Sequence, residues 1–164
     1  MSLLSEEWPA NPFWDFSIRL YSKPGIPEAC IALQEKHGLD VNVLLFCAWH
    51  GAAMTRADVE AAVKMVSDWH DGFVRSLRAL RSGMKEDAKG APRALAERVR
   101  AQIKSAELNA ERIEQVMLAA LAAGNRGPST HAEANMLLYL DYLGNKVDVQ
   151  DRQQVRSISI CTGS

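Results

Sequence analysis

PRALAERVRAQIKSAELNAERIEQVMLAALAA, residues 92–123, spaces its apolar side chains in steps of three and four. Ala96, Val99, Ile103, Ala106, Ala110, Ile113, Met117 and Ala120 form one seam at the period of helices that pack against helices. Half of that seam is alanine, which allows a neighbouring helix to approach closely. The neighbour is found upstream: Thr55 and Asp58 make a capping box ahead of a long helix expected over Arg56–Ser82. Between the two, GMKEDAKGAP carries two glycines and a proline and is expected to be a loop. The simplest product is a long antiparallel hairpin of 56–82 with 92–123.

The punctuation further out is equally helical. Asn11-Pro12 opens PFWDFSIRLYS, which Lys23-Pro24-Gly25 stops. Pro27 opens EACIALQEKH, closed by Gly38 after the cationic Lys36 and His37. Asp40 caps a third helix, to about Ala53. After a break at Gly124–Pro128, Thr130 and Glu133 predict a capping box for HAEANMLLYLDYL, ended by Gly144. DVQDRQQVRS gives a last helix and SISICTGS a tail. Strand-like alternation is absent apart from the short SISI. The expectation is an all-α compact bundle of about six or seven helices, one domain over 1–164, with a short lead at 1–10 and a tail at 159–164.

DVNVLLFCAWHG, residues 40–51, is apolar nearly all round yet carries Asp40, Asn42, Cys47, Trp49 and His50. A helix of that kind runs through a core with neighbours on every side. Asn42 falls in its first turn, where its side chain is expected to satisfy an unpaired backbone donor. Cys47 among apolar neighbours acts as a small hydrophobe, and Trp49 brings a large apolar area with one N–H.

FWDFSIRLYSKPGIPEACIALQEKHGLDVNVLLFCAWHG contains, in order, Phe-Trp-Asp-Phe-Ser, Leu-Tyr, Pro-Gly, Ala-Cys, Leu-Gln, His-Gly, Asp-Val-Asn and Leu-Leu-Phe-Cys-x-Trp. This run over residues 13–50 resembles the front half of a small family of uncharacterised, mostly proteobacterial conserved hypothetical proteins. The resemblance carries no activity. It implies that Trp14, Asp15, Cys30, His37, Asp40, Asn42 and Trp49 belong to one cluster.

Composition narrows the function classes. The chain is 48% hydrophobic and 24% charged, with net charge −1. No apolar run reaches the roughly 20 residues that span a bilayer, and the acidic start lacks a secretory core, so a cytoplasmic protein is expected. Cys30, Cys47 and Cys161 are odd in number and form no C-x-x-C, which points to reduced thiols. From Arg75 to Lys104 nine Lys or Arg face Glu86, Asp87 and Glu97. Arg75, Arg78 and Arg81, with Lys85 following, lie along one side of the expected helix and could meet an anion or an acidic partner. Nucleic acid is disfavoured, because no Phe, Trp or Tyr lies between Phe73 and Tyr139 to stack on bases.

The chemistry motifs are missing. H-E-x-x-H and E-x-x-H do not occur, and no nucleophile elbow, P-loop or dinucleotide fingerprint occurs. His50 and His70 could converge across the hairpin beside Asp68 or Asp71, but spacing does not show it. Glu107, Glu111 and Glu114 are expected to be the charged outer face of the long helix. No cofactor, metal or catalytic group is assigned, and the reading leans away from an enzyme. It favours a protein-interaction or regulatory module, with a protein partner or self-association as a dimer through the seam at 96–120, and no membrane. The alternative is a small-molecule- or metal-binding protein whose pocket lies among Trp14, Asp15, Asn42, Trp49 and His50.

Overall fold

Most helices begin where a cap residue or a proline puts them. The structure, a computed structural model, describes residues 8–86, 90–122 and 129–163, all helix, turn or connection. Asn11 caps α1 (Pro12–Tyr21), its Oδ1 accepting from the backbone N–H of Phe13 at 3.1 Å and of Trp14 at 3.3 Å. α2 (Ile26–His37) ends on Gly38, whose φ of 64° is cheap only for glycine. Asp40 caps α3 (Val41–His50), and the Thr55–Asp58 capping box starts α4 (Arg56–Trp69). A π-helical segment, His70–Val74, leads without a break into α5 (Arg75–Glu86). α6 (Arg93–Leu121), α7 (Ala132–Tyr142) and α8 (Val149–Ile160) complete the all-α bundle. No helix is long and apolar enough to cross a membrane among the described residues.

α3 is the central rod. Val43 to Ala48 are buried without interruption, and α1, α2, α4, α6 and α7 all pack on it. Phe13 of α1 stacks on Trp49 at 5.0 Å and meets Phe46 edge-on at 5.9 Å. The expected long hairpin forms: Trp69 donates to Ala110 O at 2.9 Å and Arg100 to Arg81 O at 3.3 Å, so α4–α5 and α6 run antiparallel.

Several local expectations change. The 56–82 helix contains the π-turn, and α5 runs on to Glu86, taking Gly83 to Glu86 of the expected loop into helix; packing of α5 on α6 outweighs the low helix propensity of Gly83. Residues 87–89, the break at 124–128 and lead residues 1–7 lie outside the described residues. The seam of α6 is rotated: its buried face is Glu107, Ala110, Glu114, Gln115 and Leu118, while Val99, Ala106 and Ala120 are exposed. Polar partners on neighbouring helices turn the acids inward, and the alanine stripe yields. α7 follows a 3-10 turn at Ser129–His131 that takes in Thr130, so His131 and not Thr130 holds its N-cap position, without a side-chain capping bond. The supposed tail continues α8 to Ile160 and then a 3-10 turn, because Ile158 is fully buried.

α8 is fastened to α2 by Asp151, a buried carboxylate. It accepts from Lys36 Nζ at 2.8 Å and from the backbone N–H of Asp148 at 2.9 Å, and lies 3.1 Å from His37 Nε2. Burial alone would raise this carboxyl; Lys36, Asp148 and His37 outweigh it and hold it well below the ordinary range. A lowered carboxyl stabilises the fold above its unfolded value and loses that contribution as pH falls through about 4 toward the folded value. Asp151→Asn is therefore expected to flatten the acid limb. Urea unfolding at pH 6 and pH 3 should show a smaller difference for the variant than for the wild type, and equal differences would remove Asp151 from the acid response.

Candidate ligand-binding site

The first turn of α3 supplies two polar side chains to the core. Asp40 Oδ1 accepts from the backbone N–H of Asn42 at 2.8 Å, so the cap satisfies that donor and the Asn42 amide is left for other work. This corrects the expectation that Asn42 serves the helix terminus. Its Nδ2 donates to Glu114 Oε2 at 3.0 Å, and its Oδ1 accepts from Gln115 Nε2 at 2.8 Å. Tyr139 of α7 accepts from the backbone N–H of Asp40 at 3.1 Å. His70, at the start of the π-segment, brings Nδ1 to 3.1 Å from Asp40 Oδ2 and 3.2 Å from Glu114 Oε1. The three groups Asp40, His70 and Glu114 place one donor atom each within 4.8 Å of one another. Burial pushes the Asp40 and Glu114 carboxyls above the ordinary carboxylate range, and the facing Glu114 carboxyl raises Asp40 further.

A second layer lies beside the first. Arg78 and Arg81 of α5 turn inward onto Glu107, Arg78 Nε at 3.2 Å and Arg81 through Nε and Nη2. Arg78 also donates to Glu111 at 2.9 Å and to Gln34 of α2 at 3.0 Å. Burial alone would raise Glu107, but the two guanidinium groups hold it below the ordinary range. The row Glu107, Glu111, Glu114 is thus not an outer face: Glu107 and Glu114 are buried and Glu111 half-buried, each answered by a donor from another helix.

Two cavities flank this polar wall and share Gln34, Asp40 and Arg78. One, of about 370 Å³, is lined by His70, Asp71, Arg75, Tyr139 and the apolar Val63 and Leu143. The other, of about 400 Å³, is lined by Trp14, Ser17, Leu45, Asn42, Leu108 and Gln115 among others. Ser17 Oγ and Gln115 Oε1 are buried there without a hydrogen-bond partner.

The structure brings Trp14, Asn42, Arg78 and Arg81 around one cavity. It does not bring the rest to them. Asp15 is exposed on α1; Trp49 packs on Phe13, and His50 is buried against Phe46 with Nδ1 at 3.4 Å from Ala52 O. Arg75 pairs with exposed Asp71 at 3.1 Å, and Lys85 is exposed. The single cluster implied for Trp14 through Trp49 divides as well: His37 belongs to the Asp151 latch, and Cys30 lies beside Tyr21, its thiol pushed up to about 12 by burial. The resemblance places Asp40 in its implied cluster, and the sequence allows His70 beside His50 with Asp68 or Asp71; the structure sets His70 against Asp40 and Glu114 instead, with His50 elsewhere. Glu114 enters only through the glutamate row, and Gln115 is not singled out by sequence.

Residues 12–118 match the model of a family described as "Protein of unknown function (DUF2390)". No curated protein and no solved structure matches the chain significantly.

Proposed function

We propose, for a chain that belongs to the DUF2390 family of proteins of unknown function, that it binds a small molecule in the cavity between α1, α2, α3 and the α5–α6 hairpin. One observation carries this reading: Ser17 and Gln115, whose buried Oγ and Oε1 take no hydrogen bond, both line a cavity of about 400 Å³. Buried polar groups in folded proteins are nearly always bonded, and that volume lies within the usual range for small-molecule pockets. Trp14, Ile18, Leu45 and Leu108 supply an apolar wall, so the ligand is part apolar and carries a hydrogen-bond donor for Gln115. Arg78 and Arg81 are already engaged by Glu107 and Glu111, so an anion is not required. Binding is favoured over nucleophilic catalysis, because burial holds the Cys30 and Cys47 thiols well above the ordinary thiol range. Cys30, Cys47 and Cys161 form no disulfide, which suits a reducing cytoplasm.

A second reading rests on a different surface. Leu80 of α5 and Leu95 and Val99 of α6 are about half exposed where the hairpin continues past the core, an apolar set suited to a protein partner or a second copy of the chain. Native mass spectrometry of the protein isolated from its own host separates the two. An organic adduct on the monomer, lost in the cavity-filling Leu108→Trp, is the result expected. A bare dimer whose mass halves in Leu95→Glu would favour the hairpin surface instead.

A further inference from the structure

The geometry points to a seat for one divalent first-row transition cation between Asp40 Oδ2, His70 Nδ1 and Glu114 Oε1. It is distinct from the small-molecule reading: His70 lines only the other cavity, with Asp71, Arg75 and Tyr139, while Asp40 lines both.

The spacing is that of a coordination face. His70 Nδ1 lies 3.1 Å from Asp40 Oδ2 and 3.2 Å from Glu114 Oε1. Two donors each about 2.1 Å from one ion are about 3.0 Å apart at a right angle and about 3.4 Å apart at a tetrahedral angle. Both separations from His70 fall between those values, and all three donors lie within 4.8 Å of one another.

The carboxylates are also oriented for it. On each, one oxygen is held by Asn42: the backbone N–H bonds Asp40 Oδ1 at 2.8 Å, and Nδ2 bonds Glu114 Oε2 at 3.0 Å, an oxygen that His70 Nδ1 also approaches at 3.3 Å. The other oxygen of each, Asp40 Oδ2 and Glu114 Oε1, is buried and takes no hydrogen bond, its close contact being the ion-pair approach of His70 Nδ1. Asn42 is thus a positioning residue, the kind of outer-shell partner that fixes ligand orientation at metal centres. Three different elements present the donors, so the frame is rigid: the cap of α3, the first residue of the π-segment and the middle of α6.

The donor set selects the ion. One imidazole with two carboxylates suits zinc, manganese or iron, whereas calcium and magnesium prefer oxygen alone. Three protein ligands leave at least one coordination position, and the adjoining cavity of about 370 Å³ gives water or a bound molecule access to it.

The test uses the full chain, stripped with chelator and titrated with zinc chloride by calorimetry, with stoichiometry from native mass spectrometry. One ion per chain and a raised melting temperature are expected. Asp40→Asn and Glu114→Gln should each weaken binding at least about 100-fold, beyond what loss of an outer-shell partner costs, with far-UV circular dichroism unchanged. If either variant fails to fold, His70→Gln carries the same expectation. His131→Ala, at an exposed histidine, should leave binding intact. Failure to take up either zinc or manganese overturns the seat, as does uptake that survives in the folded ligand variants. Leu108→Trp should keep the ion while losing the organic adduct, so the two readings fail separately.

Discussion

Phe46→Ala is expected to lower stability by about 3–5 kcal/mol, the cost of emptying a fully packed aromatic position. In scanning calorimetry a chain of this length should then melt roughly 6–20 °C lower. Phe46 is 2% exposed and is held from three directions, by Phe13 at 5.9 Å, Trp49 at 6.3 Å and His50 at 5.6 Å. α3 cannot shift to close the void, because helices pack on all sides of it and its first turn is pinned by the Asp40 and Asn42 bonds. A loss below about 1 kcal/mol would mean that Phe13 and Trp49 refill the space, and that the aromatic knot between α1 and α3 is not what locks the bundle.

That central position of α3 was legible because it follows from composition alone: a helix apolar on every face has nowhere to go but the middle. The caps at Asn11, Asp40, Thr55 and Gly38 were legible for a similar reason, since capping is settled within three or four residues of chain. The π-segment was not, as nothing local requires five residues to widen their turn at His70–Val74. The site was legible only in pieces. Asn42, Trp14, Arg78 and Arg81 were singled out, but as two unrelated groups, and the glutamate row was assigned to solvent. Its direction depends on Asn42, 72 residues from Glu114, and on Arg78, 29 residues from Glu107. Periodicity shows which side chains share a face; it cannot show what that face meets.

Glu107→Ala is the measurement that bears most directly on that inward turn, and it is expected to cost about 2–4 kcal/mol. Loss of one partner from a buried ion pair leaves a charge without compensation, typically at about 3–5 kcal/mol. The figure is reduced here because the Arg78 and Arg81 side chains are 27% and 25% exposed and regain some water. It is not reduced to nothing, since Arg81 loses both of its bonds to Glu107 at once, while Arg78 keeps Glu111 and Gln34. The asymmetry gives an internal comparison. Arg75→Ala, which removes an ion pair exposed on both sides, should change stability hardly at all. In urea unfolding, Glu107→Ala should lower the midpoint with an unchanged slope, the mark of lost native stability and not of an altered denatured state. The Arg81→Ala and Glu107→Ala double variant should lose less than the sum of the singles, because the second substitution strands no further charge. If Glu107→Ala proves as mild as Arg75→Ala, the acids of α6 are solvated after all, and the polar wall that separates the two cavities has no energetic basis.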